Sequence, residues 1–413
     1  MADTFCVLAW HQLQIQPDGI AKICCNDAGA GADGEAASVY RRRVDEIWNG
    51  ERLCGIRRAM ALGERPDACA RCHESEAATG ASLRTLVNRV LGGPDSVEKL
   101  LAPSRADGRA PEPPRQLVLE TGNVCNLRCR MCNGRSSSAI EADPVHRAWA
   151  GAAATPPPTD PRFPAPWHRQ ASFLEDELFP DVSTVKQLQV VGGETFMSAG
   201  GRLALRTLVD GGAAANIDIV VNTNGTWIDE DWLALLARFR SSVIAVSIEG
   251  VGAWNDYIRY PSRFDDVLAS IPRFRAVPRA RVMVSSTFQA YNALSLTKLL
   301  ELCDELELMV YTHPVVAPAY LAARVLPPAA RALAADRLRA YFARRRSAVP
   351  QIATEALMPT LDDGGRAWDR ELAATFMRFT SDLDRSRGQR LAELEPELVA
   401  FFAEAKMPWP DAA

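Results

Sequence analysis

Three cysteines, Cys125, Cys129 and Cys132, stand at C-x3-C-x2-C in the run Cys-Asn-Leu-Arg-Cys-Arg-Met-Cys. This spacing lets one loop bring three thiolates to a common centre. Soft thiolates select iron–sulfur clusters, zinc or Cu(I). A four-iron cubane held by three ligands leaves one iron open, whereas a structural zinc site wants a fourth protein ligand close by. The residues that follow, Asn133-Gly-Arg-Ser136, offer none.

A second cysteine set lies upstream. Of the ten cysteines (6, 24, 25, 54, 69, 72, 125, 129, 132 and 303), nine fall in the first third of the 413 residues. The opening residues lack a basic region followed by a long apolar core, so no export signal is expected. The expected compartment is the reducing cytoplasm, where clustered cysteines act as metal ligands or catalytic groups rather than disulfides. A net charge of -4 advertises no basic surface for nucleic acid. No apolar run approaches the ~20 residues a membrane span needs. Neither nucleic acid nor membrane is expected as a partner.

The elements that position these cysteines read as follows. Residues 1–90 form a small module. The alternating run Gln12-Leu-Gln-Ile15, the turn Pro17-Asp-Gly19 and Ile20-Ala-Lys-Ile23 make a hairpin ending in Cys24-Cys25. A Gly/Ala-rich loop covers 28–37, helical stretches cover 44–50 and 53–62, and Cys69-x2-Cys72 closes the set. A cysteine-bearing hairpin facing a later C-x2-C is a metal-site design that zinc ribbons share. Adjacent strand residues point to opposite faces, so Cys24 and Cys25 do not easily serve one centre. Cys54 and Cys303, each in a helical pattern, read as core; His11 and His73 read as structural or solvated histidines. Residues 91–115, rich in Pro, Gly, Arg and Asp, read as a linker.

From 116 onward strands and helices alternate. Strands are expected at 116–120, 187–191, 217–222, 243–248, 281–287 and 308–311, and helices around 171–178, 199–210, 229–239, 263–275 and 293–305. Alternation of this kind means βαβ units on a parallel sheet. The segment 134–169, with Pro156-Pro-Pro158 and Phe163-Pro-Ala-Pro-Trp167, is a long insertion beside the cysteine loop, placed to shape an entrance. Residues 327–413 read as a helical region, with helices over 329–346, 366–387 and 391–406, Arg344-Arg-Arg346 as a solvated helix end, and an irregular tail at 407–411.

Polar phrases fall at the expected C-terminal strand ends, where barrels of this kind place function: Gly192-Gly193-Glu194, Asn222-Thr223-Asn224-Gly225, Ser247-Ile248-Glu249-Gly250, then Asn255–Arg259, Phe288–Asn292 and Thr312-His313-Pro314. In this order, behind the cysteine loop, they resemble the radical S-adenosylmethionine (SAM) enzymes. The resemblance implies an α/β fold, a partial (β/α)6 TIM-like barrel over 116–326, flanked by the cysteine-rich hairpin module and the C-terminal helical region. It implies a cluster on Cys125, Cys129 and Cys132 whose open iron binds SAM. Gly192, Gly193 and Glu194 would bind the SAM amino group. Asn222, Asn224, Ser247 and Glu249 would contact the ribose, and Arg259 the carboxylate. The family commonly has proline where Thr195 stands and aspartate where Glu249 stands.

Gly19-x4-Cys24, the phrase Asp45-Glu-Ile-Trp-Asn-Gly50 and Cys69-x2-Cys72-x3-Glu76 resemble the auxiliary-cluster modules called SPASM and twitch domains, which usually follow the barrel rather than precede it. This match implies a second [4Fe–4S] cluster on Cys6, Cys24, Cys69 and Cys72, with the Gly-x4-Cys spacing favouring Cys24 over Cys25. The implied activity is reductive cleavage of SAM to a 5′-deoxyadenosyl radical that abstracts hydrogen, with the auxiliary cluster taking part in electron transfer. The implied partners are a ribosomal peptide or amino-acid-like small-molecule substrate and an external low-potential electron donor such as flavodoxin or ferredoxin. His313 is the foremost substrate-side acid or base. Two other readings stand beside this one: an oxidase or epimerase of a sugar or nucleoside, and a non-catalytic iron–sulfur or zinc protein that would turn over no SAM.

Overall fold

The computed structural model describes residues 4–27, 37–80, 82–91, 94–150, 161–362 and 367–410. The Gly/Ala-rich loop, apart from Ala37, and Pro156–Pro158 lie outside the described residues.

Among the described residues nine strands form one sheet: β1 (Gln12–Ile15), β2 (Ala21–Lys22), β3 (Gln116–Glu120), β4 (Gln187–Val191), β5 (Asp218–Thr223), β6 (Ser241–Ser247), β7 (Ala280–Phe288), β8 (Met309–Pro314) and β9 (Gln351–Ile352), in the order β2-β1-β3-β4-β5-β6-β7-β8-β9. Strands β3 to β8 are parallel and are the six strands expected of the partial barrel. Their patterning separates two faces. In β5, Ile219, Val221 and Thr223 are buried, while Asp218, Val220 and Asn222 alternate with them and are only half-buried. One face packs on helices such as Ala199–Asp210 and Phe264–Arg275, and the other lines a polar lumen.

The N-terminal hairpin continues this sheet. β1 pairs in parallel with β3, Leu13 opposite Leu117 and Ile15 opposite Leu119, and antiparallel with β2. The stretch read as a linker is largely a helix, Pro94–Asp107. Much of its punctuation brackets the helix: Pro94 sits in the first turn, where a missing N–H costs nothing, and Gly108 (φ 76°) lies just past the end, while Pro103 is accommodated inside it. Val97 and Leu101 are buried, and Ser104 accepts the indole N–H of Trp10 at 2.8 Å. This helix therefore belongs with the N-terminal residues.

The C-terminal region contains the helices Pro328–Arg344, Arg370–Arg387, Leu391–Leu394 and Pro396–Glu404. The single helix expected over 391–406 is split because Pro396 cannot continue the preceding turn. The tail is pinned: Trp409 is buried, its ring centre 5.4 Å from that of Phe402. The two-residue β9 escapes sequence patterning because it is too short for any period. The insertion bridges two regions. Helix Pro144–Ala150 packs on Arg370–Arg387, where Trp149 donates to Asp382 at 3.0 Å. Trp167 donates its indole N–H to the Gln16 carbonyl at 2.8 Å and its backbone N–H to the Tyr40 hydroxyl at 2.9 Å. Among the described residues no helix is long and apolar enough to cross a membrane.

Candidate cofactor-binding site

The cysteine loop leaves the C-terminal end of β3 and is held on every side by backbone hydrogen bonds. Thr121 donates its N–H to the Val191 carbonyl at 2.9 Å, and Glu194 donates its own to Val124 at 2.7 Å. The Gly192-Gly193 turn therefore lies directly against the approach to Cys125. Both glycines have positive φ (109° and 56°), and a Cβ at Gly193 would overlap the Val124 carbonyl oxygen. On the far side, Arg128 and Arg130 donate their N–H groups to Tyr260 at 2.6 Å and Ile258 at 2.8 Å. Ser137 closes the loop from inside, donating to the Leu127 carbonyl at 2.6 Å.

The three cysteines converge on one cavity of about 250 Å³, lined also by Glu120, Gly192, Gly193, Asn222, Thr223, Asn224, Ser247 and Arg259. The donor set fits a cluster with an open iron: three thiols from one loop, with empty volume beside them. Cys129 and Cys132 share a hydrogen bond. That bond is the main cause that lowers the Cys129 thiol and raises that of Cys132, while Arg259 favours the thiolate of both. Burial pushes Cys125 up to about 11, so a bound metal is what would hold it as thiolate. Arg259 is buried and its Nε has no hydrogen-bond partner, which leaves a donor for an acidic group in the cavity.

Two predicted contact residues do not face the cavity with their carboxylates. Glu194 accepts the N–H of Asn224 at 2.6 Å, the hydroxyl of Thr223 at 2.7 Å and the N–H of Phe196 at 3.1 Å. Burial raises its pKa, opposed by these donors. In this arrangement the Glu194 carboxylate ties the end of β4 to the end of β5. Glu249, expected at the ribose, accepts the N–H of Thr287 at 2.6 Å and the hydroxyl of Ser286 at 3.3 Å, and pairs with Arg259 at 3.3 Å. Burial pushes it up to about 7 against the pull of Arg259. The extra methylene relative to aspartate is used to reach β7 and orient Arg259. Asn224 remains at the rim, its amide 2.9 Å from Asn126 Oδ1 and 4.0 Å from Cys125 Sγ.

Two residues were missed. Glu120 lines the cavity and accepts from Gln14 of β1 at 2.5 Å. A carboxylate ending the strand before the cysteine loop was the available signal. Arg130, between the second and third cysteines, is fully buried. Its Nε donates to Tyr257 O at 3.0 Å, and its Nη2 to Asp384 Oδ1 at 2.6 Å and to Gln389 at 3.0 Å. His313, on β8, bonds Thr287 Oγ1 at 3.2 Å through Nε2, and its buried Nδ1 has no partner.

In the N-terminal module Cys6, Cys24, Cys69 and Cys72 line a second, small pocket together with Leu8, Ile23, Asn26, Ala68, Leu83 and Arg84. Among the described residues no carboxylate or imidazole lines it, so the donors there are soft thiols, a set suited to iron–sulfur ligation with no open position. Burial pushes Cys6 up to about 11 and Cys69 up to about 12. Cys25 is exposed and outside this lining. The geometry therefore groups Cys24, not Cys25, with the other three. Cys54 and Cys303 are buried elsewhere, as expected of core residues. Neither His11 nor His73 lines the pocket.

The profile of the radical SAM superfamily matches residues 119–287, and that of an iron–sulfur cluster-binding domain, SPASM, matches residues 6–73. No curated protein matches the chain. Similar solved structures include native anSMEcpe with bound AdoMet (15% identity, 55% of this chain and 59% of that chain covered, TM-score 0.39). They also include Streptococcus suis SuiB bound to S-adenosylmethionine (14%, 71% and 64%, TM-score 0.42) and SuiB bound to precursor peptide SuiA (13%, 81% and 71%, TM-score 0.42). The chain thus spans less than two thirds of the length of the first two. The first family match contains the three-cysteine loop and the strand-end motifs from Gly192 to Arg259, and the second contains all four cysteines of the small pocket. Residues 119–287 thus carry a radical SAM superfamily domain and residues 6–73 a SPASM-type cluster-binding domain ahead of it, so the cofactors are [4Fe–4S] clusters and SAM.

Proposed function

We propose that the chain is an oxidoreductase or maturase that uses SAM to abstract hydrogen from an unactivated C–H bond of a ribosomal peptide or amino-acid-like metabolite. The observation that carries this reading is the convergence of Cys125, Cys129 and Cys132 on a cavity whose walls include Gly192-Gly193, Asn222, Asn224, Ser247 and Arg259. Cys125, Cys129 and Cys132 would hold one cluster, and Cys6, Cys24, Cys69 and Cys72 the second. When bound and reduced, the first supplies SAM cleavage to a 5′-deoxyadenosyl radical, and the second supplies a one-electron carrier.

The chain's own residues bind and orient. Backbone groups of the Gly192-Gly193 turn meet the SAM ammonium. The Arg259 guanidinium, oriented by Glu249, takes its carboxylate in a charge-assisted pair. Asn222, Asn224 and Ser247 offer amide and hydroxyl groups to the ribose. His313, with a free buried Nδ1 on the lumen face of β8, is positioned to accept a proton from substrate. The electron donor is an external low-potential carrier such as flavodoxin or ferredoxin.

The test is anaerobic reconstitution, reduction with dithionite in the presence of SAM, and quantitation of 5′-deoxyadenosine. The unsubstituted protein should form it and Cys129→Ala should not. Equal formation by both removes the proposal, and formation by neither favours a non-catalytic iron–sulfur protein. Transfer of deuterium into 5′-deoxyadenosine from a deuterated candidate peptide checks the substrate class.

A further inference from the structure

We infer that the C-terminal helix Arg370–Arg387 is the electrostatic backing of the cysteine loop: Asp384 holds Arg130 behind Cys129, Arg387 adds a positive charge that is not fully compensated, and the two together set the reduction potential of the cluster the loop holds. This rests on reading Cys125–Cys132 as a cluster loop.

The loop is anchored to the helix through one residue. Asp384 Oδ1 accepts from Arg130 Nη2 at 2.6 Å and from the Tyr257 hydroxyl at 2.8 Å. The Arg130 guanidinium lies 3.7 Å from the centre of the Tyr257 ring. Because Arg130 also bonds the carbonyls of Tyr257 and Ile258, it fixes the segment that leads into Arg259.

One turn further along, the Arg387 side chain is almost wholly buried. It meets His146 Nδ1 at 3.0 Å and lies 4.0 Å from Asp143, while its Nε and Nη1 have no partner. Asp143 is shared with Arg128 at 3.3 Å, and Arg128 and Arg387 each lie 5.0 Å from the Tyr260 ring. Three guanidiniums (Arg128, Arg130 and Arg387) thus face two carboxylates (Asp143 and Asp384). A buried arginine with two unmatched N–H groups is expensive for stability alone. An anionic thiolate-bound centre alongside offsets that cost: the ring that Arg387 faces belongs to Tyr260, whose carbonyl takes the N–H of Arg128, the residue before Cys129, at 2.6 Å. Reduction adds negative charge, so positive charge nearby raises the potential.

The test is an EPR-monitored redox titration of the reconstituted full chain, following the signal whose shape changes on adding SAM, with iron content measured in parallel. At a poise that half-reduces the unsubstituted protein, Arg387→Met should lower the reduced-to-oxidised ratio about tenfold, equivalent to about 59 mV for one electron. Arg387→Lys should restore it. Asp384→Asn, which uncovers the charge of Arg130, should move the ratio the opposite way. A merely structural role predicts loss of iron in both variants or shifts of one sign, and either result overturns the inference, as do unmoved potentials at full iron content. If Arg387→Met retains no iron, the sign of the Asp384→Asn shift decides. An unsubstituted protein with no SAM-responsive signal overturns the reading of the loop, and this inference with it. A normal SAM-responsive signal with unmoved potentials overturns this inference alone.

Discussion

The carboxylate of Glu194 accepts the backbone N–H of Asn224 at 2.6 Å, locking the end of one barrel strand to the end of the next. With Thr223 and Phe196 as further donors, three of the roughly four acceptor sites of this buried carboxylate are taken within the protein. Glu194→Gln replaces one acceptor oxygen with a donor facing donors. The expected cost is about 1–3 kcal/mol of stability, with weaker SAM binding because Asn224 loses its anchor. Thermal unfolding together with SAM binding to the reconstituted protein checks this. Weakened binding at unchanged stability would assign the carboxylate to the ligand instead.

Gly193 allows no side chain. Its φ of 56° and the overlap of any Cβ with the Val124 carbonyl both oppose substitution. Gly193→Ala should push the approach to Cys125 out of place. Iron content is expected to fall by about one cubane, roughly four irons, while the N-terminal cluster persists. Iron analysis of Gly193→Ala beside Cys69→Ala separates the two losses.

Cys24 and Cys25 should behave oppositely. Cys24 lines the small pocket and Cys25 is exposed outside it. Cys24→Ser should reduce iron from about eight to about four per chain, and Cys25→Ser should leave it unchanged. The reverse result would mean that the hairpin end twists by one residue when metal binds.

His146 gives a pH signature. Burial, then the neighbouring Arg387, lowers its pKa from 6.5 to about 3. Between those values the unfolded chain binds a proton that the folded chain refuses, so this contribution to stability is present above about pH 6.5 and is lost as pH falls toward 3. His146→Gln removes that term. Melting temperatures of the two proteins, measured from pH 7 to pH 4, should converge or cross toward the acid end. A constant gap would show that the ring titrates alike in the folded and unfolded chain.

Much of this arrangement was legible before any coordinates. The C-x3-C-x2-C loop and the phrases at the strand ends lie within local windows, and strands patterned at period two with helices between them leave few alternatives to a parallel sheet. The failures have one physical origin. Arg130 looks like a solvated loop residue until Asp384, 254 positions later, is brought beside it. Glu194 and Glu249 carry the residue type expected of ligand groups, but their orientation depends on backbone N–H groups of neighbouring strands, which no spacing rule encodes. Pro94 and Gly108 are ambiguous punctuation, because the same residues bound a helix or a linker, and burial of Val97 and Leu101 decides between them.

The pairing of β1 with β3 bears on how the chain can be divided. Cutting away everything before the barrel would strip β3 of its neighbour along one side and leave a row of unmatched backbone groups beside the cysteine loop. Such an open border recruits other strands. A barrel freed of its N-terminal hairpin is therefore expected to self-associate rather than survive as a smaller enzyme.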